Sequence, residues 1–148
     1  MIRYFGAALK FIPMNTLHCD KIEINEWYDG LIQGFVHQSG QLFYAILLAW
    51  HVDARKKRYL IVPMESKHRQ PVLDAYSDPA KWPAARELIA DAIQTQDCYF
   101  SDEMPWDDET IKLSPPVRLS ASDIQIERFV VDQATTEPFI EKWLGPPK

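Results

Sequence analysis

Glycine is scarce in this chain, with five in 148 residues, and none of them builds a Gly-x-Gly-x-x-Gly or a P-loop. Backbone cradling of a phosphate therefore has no support in the sequence. Cysteine is scarcer: Cys19 and Cys98 stand far apart with no Cys-x-x-Cys between them, which excludes a disulfide scaffold or a zinc ribbon. Each reads as a small buried hydrophobe in a reducing compartment, and a single bridge between them stays open. No stretch approaches the roughly 20 apolar residues of a membrane span. The apolar start, Met1 to Leu9, is interrupted by Lys10 before a leader core forms, so a cytoplasmic protein is expected. An excess of positive charge is also missing. The net charge of −5 draws neither nucleic acid nor an anionic membrane to the molecule as a whole. The four histidines lack His-x-x-x-His or His-Glu-x-x-His spacing, and no Gly-x-Ser-x-Gly elbow occurs. No metal, no cofactor and no catalytic residue is assigned.

What is present is an ordinary globular composition, 47% hydrophobic and 25% charged, at a length suited to a single domain over 1–148. The organising stretch is Phe43-Tyr44-Ala45-Ile46-Leu47-Leu48-Ala49-Trp50, apolar at every position. A strand without a polar face needs cover on both sides. Asp29-Gly30 and Ser39-Gly40 supply the positive φ angles of tight reversals on either side of Leu31–Gln38. A longer polar connection, Asp53-Ala54-Arg55-Lys56, follows. Strands are thus predicted over about Lys21–Tyr28, Leu31–Gln38, Gln41–Val52 and Lys57–Met64. In the predicted register Ile24 faces Phe35, Phe35 faces Tyr44, Leu48 faces Ile61 and Trp50 faces Tyr59. Tyr59 and Ile61 then share a face with Phe35, Tyr44, Ile46, Leu48 and Trp50, while Leu60 and Val62 join Phe43, Ala45, Leu47 and Ala49.

Around this meander the chain offers fewer signals. Residues Met1–Asp20 read as an irregular or short-strand lead-in that packs Tyr4, Phe5, Phe11 and Ile12, and Glu65–Asp78 as a polar connection. A helix is predicted over Pro79–Gln96. Asp78 stands at its cap, and Ala85, Leu88, Ile89, Ala92 and Ile93 recur at helical spacing. Short strands are expected at Ile111–Leu113 and Val117–Leu119. Ser120 opens a helical turn, and Ile124–Val131 is left open between helix and strand. Thr136–Leu144 reads as a terminal helix closed by Gly145. The fold class is therefore α+β, an antiparallel β-meander of about four strands packed against an amphipathic helix, with a short C-terminal helix.

One segment carries a distinctive surface chemistry. Ser101–Glu109 holds five acids and no base, with Trp106 among them. It lacks the alternating ligands and central glycine of a calcium loop. Either it is a solvated charge run, or Trp106 anchors an interface rimmed by Asp102, Glu103, Asp107 and Asp108. The basic hairpin Arg55-Lys56-Lys57-Arg58 could touch a nucleic-acid backbone, though charged hairpin tips also serve solubility. An enzyme would have to assemble its site from dispersed groups such as His51, Glu65, His68 and Asp74.

Trp27-Tyr28-Asp29-Gly30-Leu31-Ile32-Gln33-Gly34-Phe35 resembles a Tyr-Asp-Gly-Pro-Leu-x-Gly strand-turn signature of small, uncharacterised bacterial proteins, with Leu31 where that pattern has proline. Val117-Arg118-Leu119-Ser120 is similar to a later part of them. The resemblance implies a bacterial or phage context and brings no catalytic residue. The expected function is a non-enzymatic binding module of immunity, inhibitor or accessory type that docks a protein partner. The alternatives are the dispersed-site enzyme and the basic-hairpin nucleic-acid binder. Oligomeric state is left open.

Overall fold

A computed structural model describes residues 14–128 and 130–145. The expected packing of Tyr4, Phe5, Phe11 and Ile12 lies outside the described residues. Strands β1 (Thr16–His18) and β7 (Thr110–Lys112) form a two-stranded sheet. Strands β2 (Lys21–Trp27), β3 (Leu31–Gln38), β4 (Gln41–His51), β5 (Lys56–Met64) and β6 (Tyr99–Ser101) form a five-stranded antiparallel sheet in chain order. The helices are α1 (Arg69–Ser77), α2 (Trp82–Thr95), α3 (Val131–Ala134) and α4 (Glu137–Trp143). The architecture is α+β, with one strand more in the main sheet than the meander alone supplied and a short C-terminal helix as expected.

The two glycine reversals fall where the sequence puts them. Asp29 and Gly30 have φ of 52° and 129°, and Ser39 and Gly40 have 49° and 81°. The second turn is a two-residue hairpin with Gln38 opposite Gln41, so Phe35 faces Tyr44 as predicted. The first spans three residues, Tyr28 to Gly30, so Trp27 faces Leu31 and Glu23, rather than Ile24, faces Phe35. Gly34 sits across from Ala45, and a Cβ there would press on the Glu23 carbonyl oxygen and on Leu31 Cδ1. Close approach of strands, not turn geometry, is the reason for that glycine.

Strand β4 is buried from Leu42 to Trp50 and is covered on both faces, as its composition demands. One face carries Phe35, Tyr44, Ile46 and Leu48 under α1, α2 and Trp143 of α4. The other carries Val36, Phe43, Ala45 and Leu47 under Leu17 of β1, Ile111 of β7 and Ala134 of α3. The predicted face for β5 is overturned. The β4–β5 register shifts between Leu47 and Ala49, so Leu48 and Ala49 both turn to the helical face. Leu60 and Val62 join them, while Tyr59, Ile61 and Trp50 go to the opposite layer. One extra residue in one strand inverts every assignment beyond it.

Helix α2 begins at Trp82 after a 3₁₀ turn at Pro79–Lys81, which Asp78 caps by accepting from Ala80 N. Ala85, Ile89, Ala92 and Ile93 are buried against the sheet; Leu88 lies at the margin of that face, half-buried. The expected polar connection over Glu65–Asp78 is instead largely helical. Its Pro71 falls in the first turn of α1, where a missing N–H costs nothing. Ile124–Arg128 is neither helix nor strand. It follows a 3₁₀ turn closed by a Ser120–Asp123 capping box and runs on as irregular chain that buries Ile124 and Ile126. Val117 contributes only a bridge to Cys98 rather than a strand. Thr136 stands at the N-cap of α4, but its hydroxyl donates back to Gln133 O rather than capping. Cys19 and Cys98 are both free and buried, in opposite layers of the sheet. Burial pushes their thiols up to about 11 and about 12, which makes both inert nucleophiles.

Helix α1 is seated by polar contacts. Its residues Arg69, Val72 and Tyr76 recur at helical spacing on one side. At one end the Arg69 guanidinium forks onto both oxygens of Glu23 on β2, which also accepts from His37 Nε2 on β3. At the other end Tyr76 OH donates to Gln33 Oε1 at 2.6 Å. Tyr44 OH donates to the same oxygen at 2.7 Å, and Gln33 Nε2 donates to Glu127 O at 2.6 Å. Gln33 is fully buried, so this network closes over a polar side chain with no access to water.

Candidate functional site

With both faces covered, the open part of the sheet is the end where the β2–β3 and β4–β5 turns meet the loop between β6 and β7. Exposed aromatic rings gather there because the turn residues that carry them have no layer above them. Trp27 is 49% exposed, Tyr28 61%, Val52 54% and Trp106 41%. The Trp27 and Trp106 rings lie 5.3 Å apart and tilted, and Tyr28 meets Trp50 edge-on at 6.2 Å. Such ring pairs fix one another's orientation and present a preformed apolar surface. Lys57 crosses this surface. Its ammonium stands 4.5 Å over the Trp50 ring and donates to Asp29 O at 2.7 Å. A Cβ at Gly30 would collide with Lys57 Nζ and Met104 Sδ, so the missing side chain is what lets the lysine through. Desolvation lowers the Lys57 pKa, with Asp29 opposing.

The acidic loop is built, not merely solvated. Cys19 N donates to Glu109 O and Asp108 N to Cys19 O, which tie it to the end of β1. Asp102 takes both Arg58 Nε at 2.8 Å and Arg58 Nη2 at 3.2 Å. Glu103 Oε1 accepts from Lys112 N, and Asp107 Oδ1 from Ile22 N, each at 2.7 Å. Of the five residues singled out from sequence, Asp102, Glu103 and Asp107 therefore shape the loop. Trp106 and Asp108 face solvent, the Asp108 side chain 94% exposed and 3.9 Å from His18. Substituting Asp107 by Asn should lower stability by about 1 kcal/mol, because the Ile22 amide loses a charged acceptor. Asp108→Asn should leave the melting temperature unchanged. Paired thermal melts of the two variants check the distinction, and equal effects would deny Asp107 its structural role.

The same geometry sorts the other candidates. In the basic hairpin, Arg58 is committed to Asp102 and Lys57 to Trp50 and Asp29, which leaves Arg55 and Lys56 outward. Among the dispersed residues, Glu65 and His68 line one cleft of about 200 Å³ with Asp91 and Gln96. His51 is far along the sheet, accepting from Ala54 N in the β4–β5 turn, and Asp74 accepts from Gln70 on α1. These four do not converge. Among the described residues no group of three or more His, Cys, Asp or Glu could hold a metal ion. No helix among them is long and apolar enough to cross a membrane. Comparison with protein-family models, with curated proteins and with solved structures finds no match.

Sequence reasoning found Trp106 through its acidic surroundings and singled out Lys57 only within the basic hairpin, but missed Trp27, Tyr28 and Val52. The usable signal was position: Trp27-Tyr28 immediately precedes a hairpin tip, where large aromatics have nothing to pack beneath. Trp50 carried no such signal, since it closes an unbroken apolar strand and is itself mostly buried.

Proposed function

We propose that this protein is a non-enzymatic binding module, of immunity, inhibitor or accessory type, that docks another protein with the turn end of its sheet. The observation that carries this reading is that Trp27, Tyr28, Val52 and Trp106 are all exposed at one end of a sheet whose faces are covered, with Trp27 set against Trp106. Exposed aromatics with a polar rim have the anatomy of an interface core, and Trp and Tyr are the side chains whose loss most weakens complexes. Asp108 and Glu109 supply the acidic rim beside Trp106. Capture of partner by the tagged protein from its source cells should fall at least about tenfold with Tyr28→Ala plus Trp106→Ala, at little cost in melting temperature. Undiminished capture of the same partner by that variant removes this surface as the docking site.

A further inference from the structure

Beside the Tyr28–Trp50 pair lies a cleft of about 680 Å³ lined by Tyr28, Asp29, Trp50, Val52, Asp132 and Thr135. Its walls combine ring surfaces with two carboxylates brought from unrelated parts of the chain, the β2–β3 turn and the first turn of α3. Neither carboxylate has a hydrogen bond or ion pair from its side chain among the described residues, whereas Asp102, Glu103 and Asp107 are all engaged. On the Trp50 ring the chain has already placed a cation of its own, Lys57 over the ring and on the Asp29 carbonyl. That contact shows the kind of charge this ring receives; the Asp29 charge acts on Lys57 with no ion pair between their side chains, and Asp132 has no ion pair among the described residues. A planar cation stacks on aromatic faces while donating to carboxylates, and a guanidinium does so with less dehydration than an ammonium.

We infer that this cleft receives an arginine side chain from a basic segment of the partner protein, with Tyr28 and Trp50 as its aromatic walls and Asp29 and Asp132 as its counter-charges. The inference rests on the docking reading above and gives that reading a partner chemistry. The argument for a cationic occupant is complementarity: two carboxylates in the cleft without an ion pair, an acidic rim at Asp108 and Glu109, and a net charge of −5 that steers basic surfaces inward. An anionic occupant would meet Asp29 and Asp132 directly.

The test uses the full-length protein and matched peptides on one Gly-Ser background, carrying arginine, glutamate or no charged residue. Binding is followed by NMR at the Trp50 indole and the Tyr28 ring. The arginine peptide should shift both signals saturably and bind about fivefold or more tighter than the uncharged one. Asp29→Asn and Asp132→Asn should each remove most of that preference, while Glu87→Gln, an equal loss of charge on the exposed side of α2, should not. Asp29 holds positive φ, which asparagine also tolerates, so its replacement carries little backbone cost. Equal weakening by Glu87→Gln, or no preference for arginine, overturns the inference. If the glutamate peptide instead moves the Tyr28 signal, docking at this end stands and the cationic occupant is wrong. If partner capture survives loss of Tyr28 and Trp106, the docking reading itself has failed.

Discussion

Replacing Gln33 by leucine is expected to destabilise the protein by about 3 kcal/mol, although the side chains are close in size and the site is fully buried. The amide is the hub of the seam under α1. It accepts from two phenols, Tyr44 and Tyr76, and donates to the Glu127 carbonyl. Leucine removes the acceptor of both hydroxyls and the donor to Glu127 at once. The hydroxyls retain each other, 3.2 Å apart, but the Glu127 carbonyl retains nothing from β3. Burial also raises the ionisation of both phenols far above the ordinary tyrosine value, so neither can relieve the loss by giving up its proton. Denaturant titration of Gln33→Leu measures the cost. Tyr76→Phe supplies the control, since it removes one donor and leaves the hub intact, and should cost about 1 kcal/mol. A Gln33→Leu variant as stable as the parent would mean that the network is incidental to the seating of α1.

Acid should loosen the other end of the same seam. The Arg69 guanidinium bonded to Glu23, with help from His37, holds that carboxyl at about 2 against an ordinary 4.5, despite burial acting the other way. A carboxylate whose folded value is depressed contributes stability that is complete above the unfolded value and vanishes as pH falls through the folded one. The contribution is therefore present above about pH 4.5 and lost progressively between 4.5 and 2. Its size is roughly 3 kcal/mol at most, by the linkage of pKa shift to free energy. Stability measured across that interval for the parent and for Glu23→Gln should converge as pH falls, because the glutamine variant has nothing to protonate at that site. Parallel curves with no convergence would show that Glu23 is not held by its partners in solution.

How far the sequence reached depended on whether a local rule or a tertiary one decided each element. Asp29-Gly30 and Ser39-Gly40 were legible because positive φ is a local demand that few residues meet. The Phe35–Tyr44 pairing followed from the second of them. The face of Tyr59 and Ile61 was not legible, because nothing in Leu47-Leu48-Ala49 announces the irregularity that turns two consecutive residues to one side. Helix α1 escaped notice because it buries only two residues fully, Val72 and Ala75, and its ends are fixed by polar contacts. Arg69 and Tyr76 reach for Glu23 and Gln33, two polar residues on strands whose apolar neighbours drew attention first. In the acidic loop, Trp106 was found by composition, but the use of Asp102, Glu103 and Asp107 as internal acceptors depends on Arg58, Lys112 and Ile22 arriving from elsewhere.

The bond from Ile22 N to Asp107 has a bearing on how this molecule coexists with its own copies. Strand β2 is an outer strand of the five, and that amide points away from β3, toward where a neighbouring molecule's backbone would add on. A carboxylate placed on it fills the docking point with negative charge, and the irregular register around Asn25 and Glu26 breaks the row further along. The opposite margin, β6, is only three residues long, and its Phe100 amide and carbonyl are both taken by Ser114. A sheet built on an eight-residue tract as sticky as Phe43–Trp50 is thereby kept from growing sideways into a ribbon of stacked molecules.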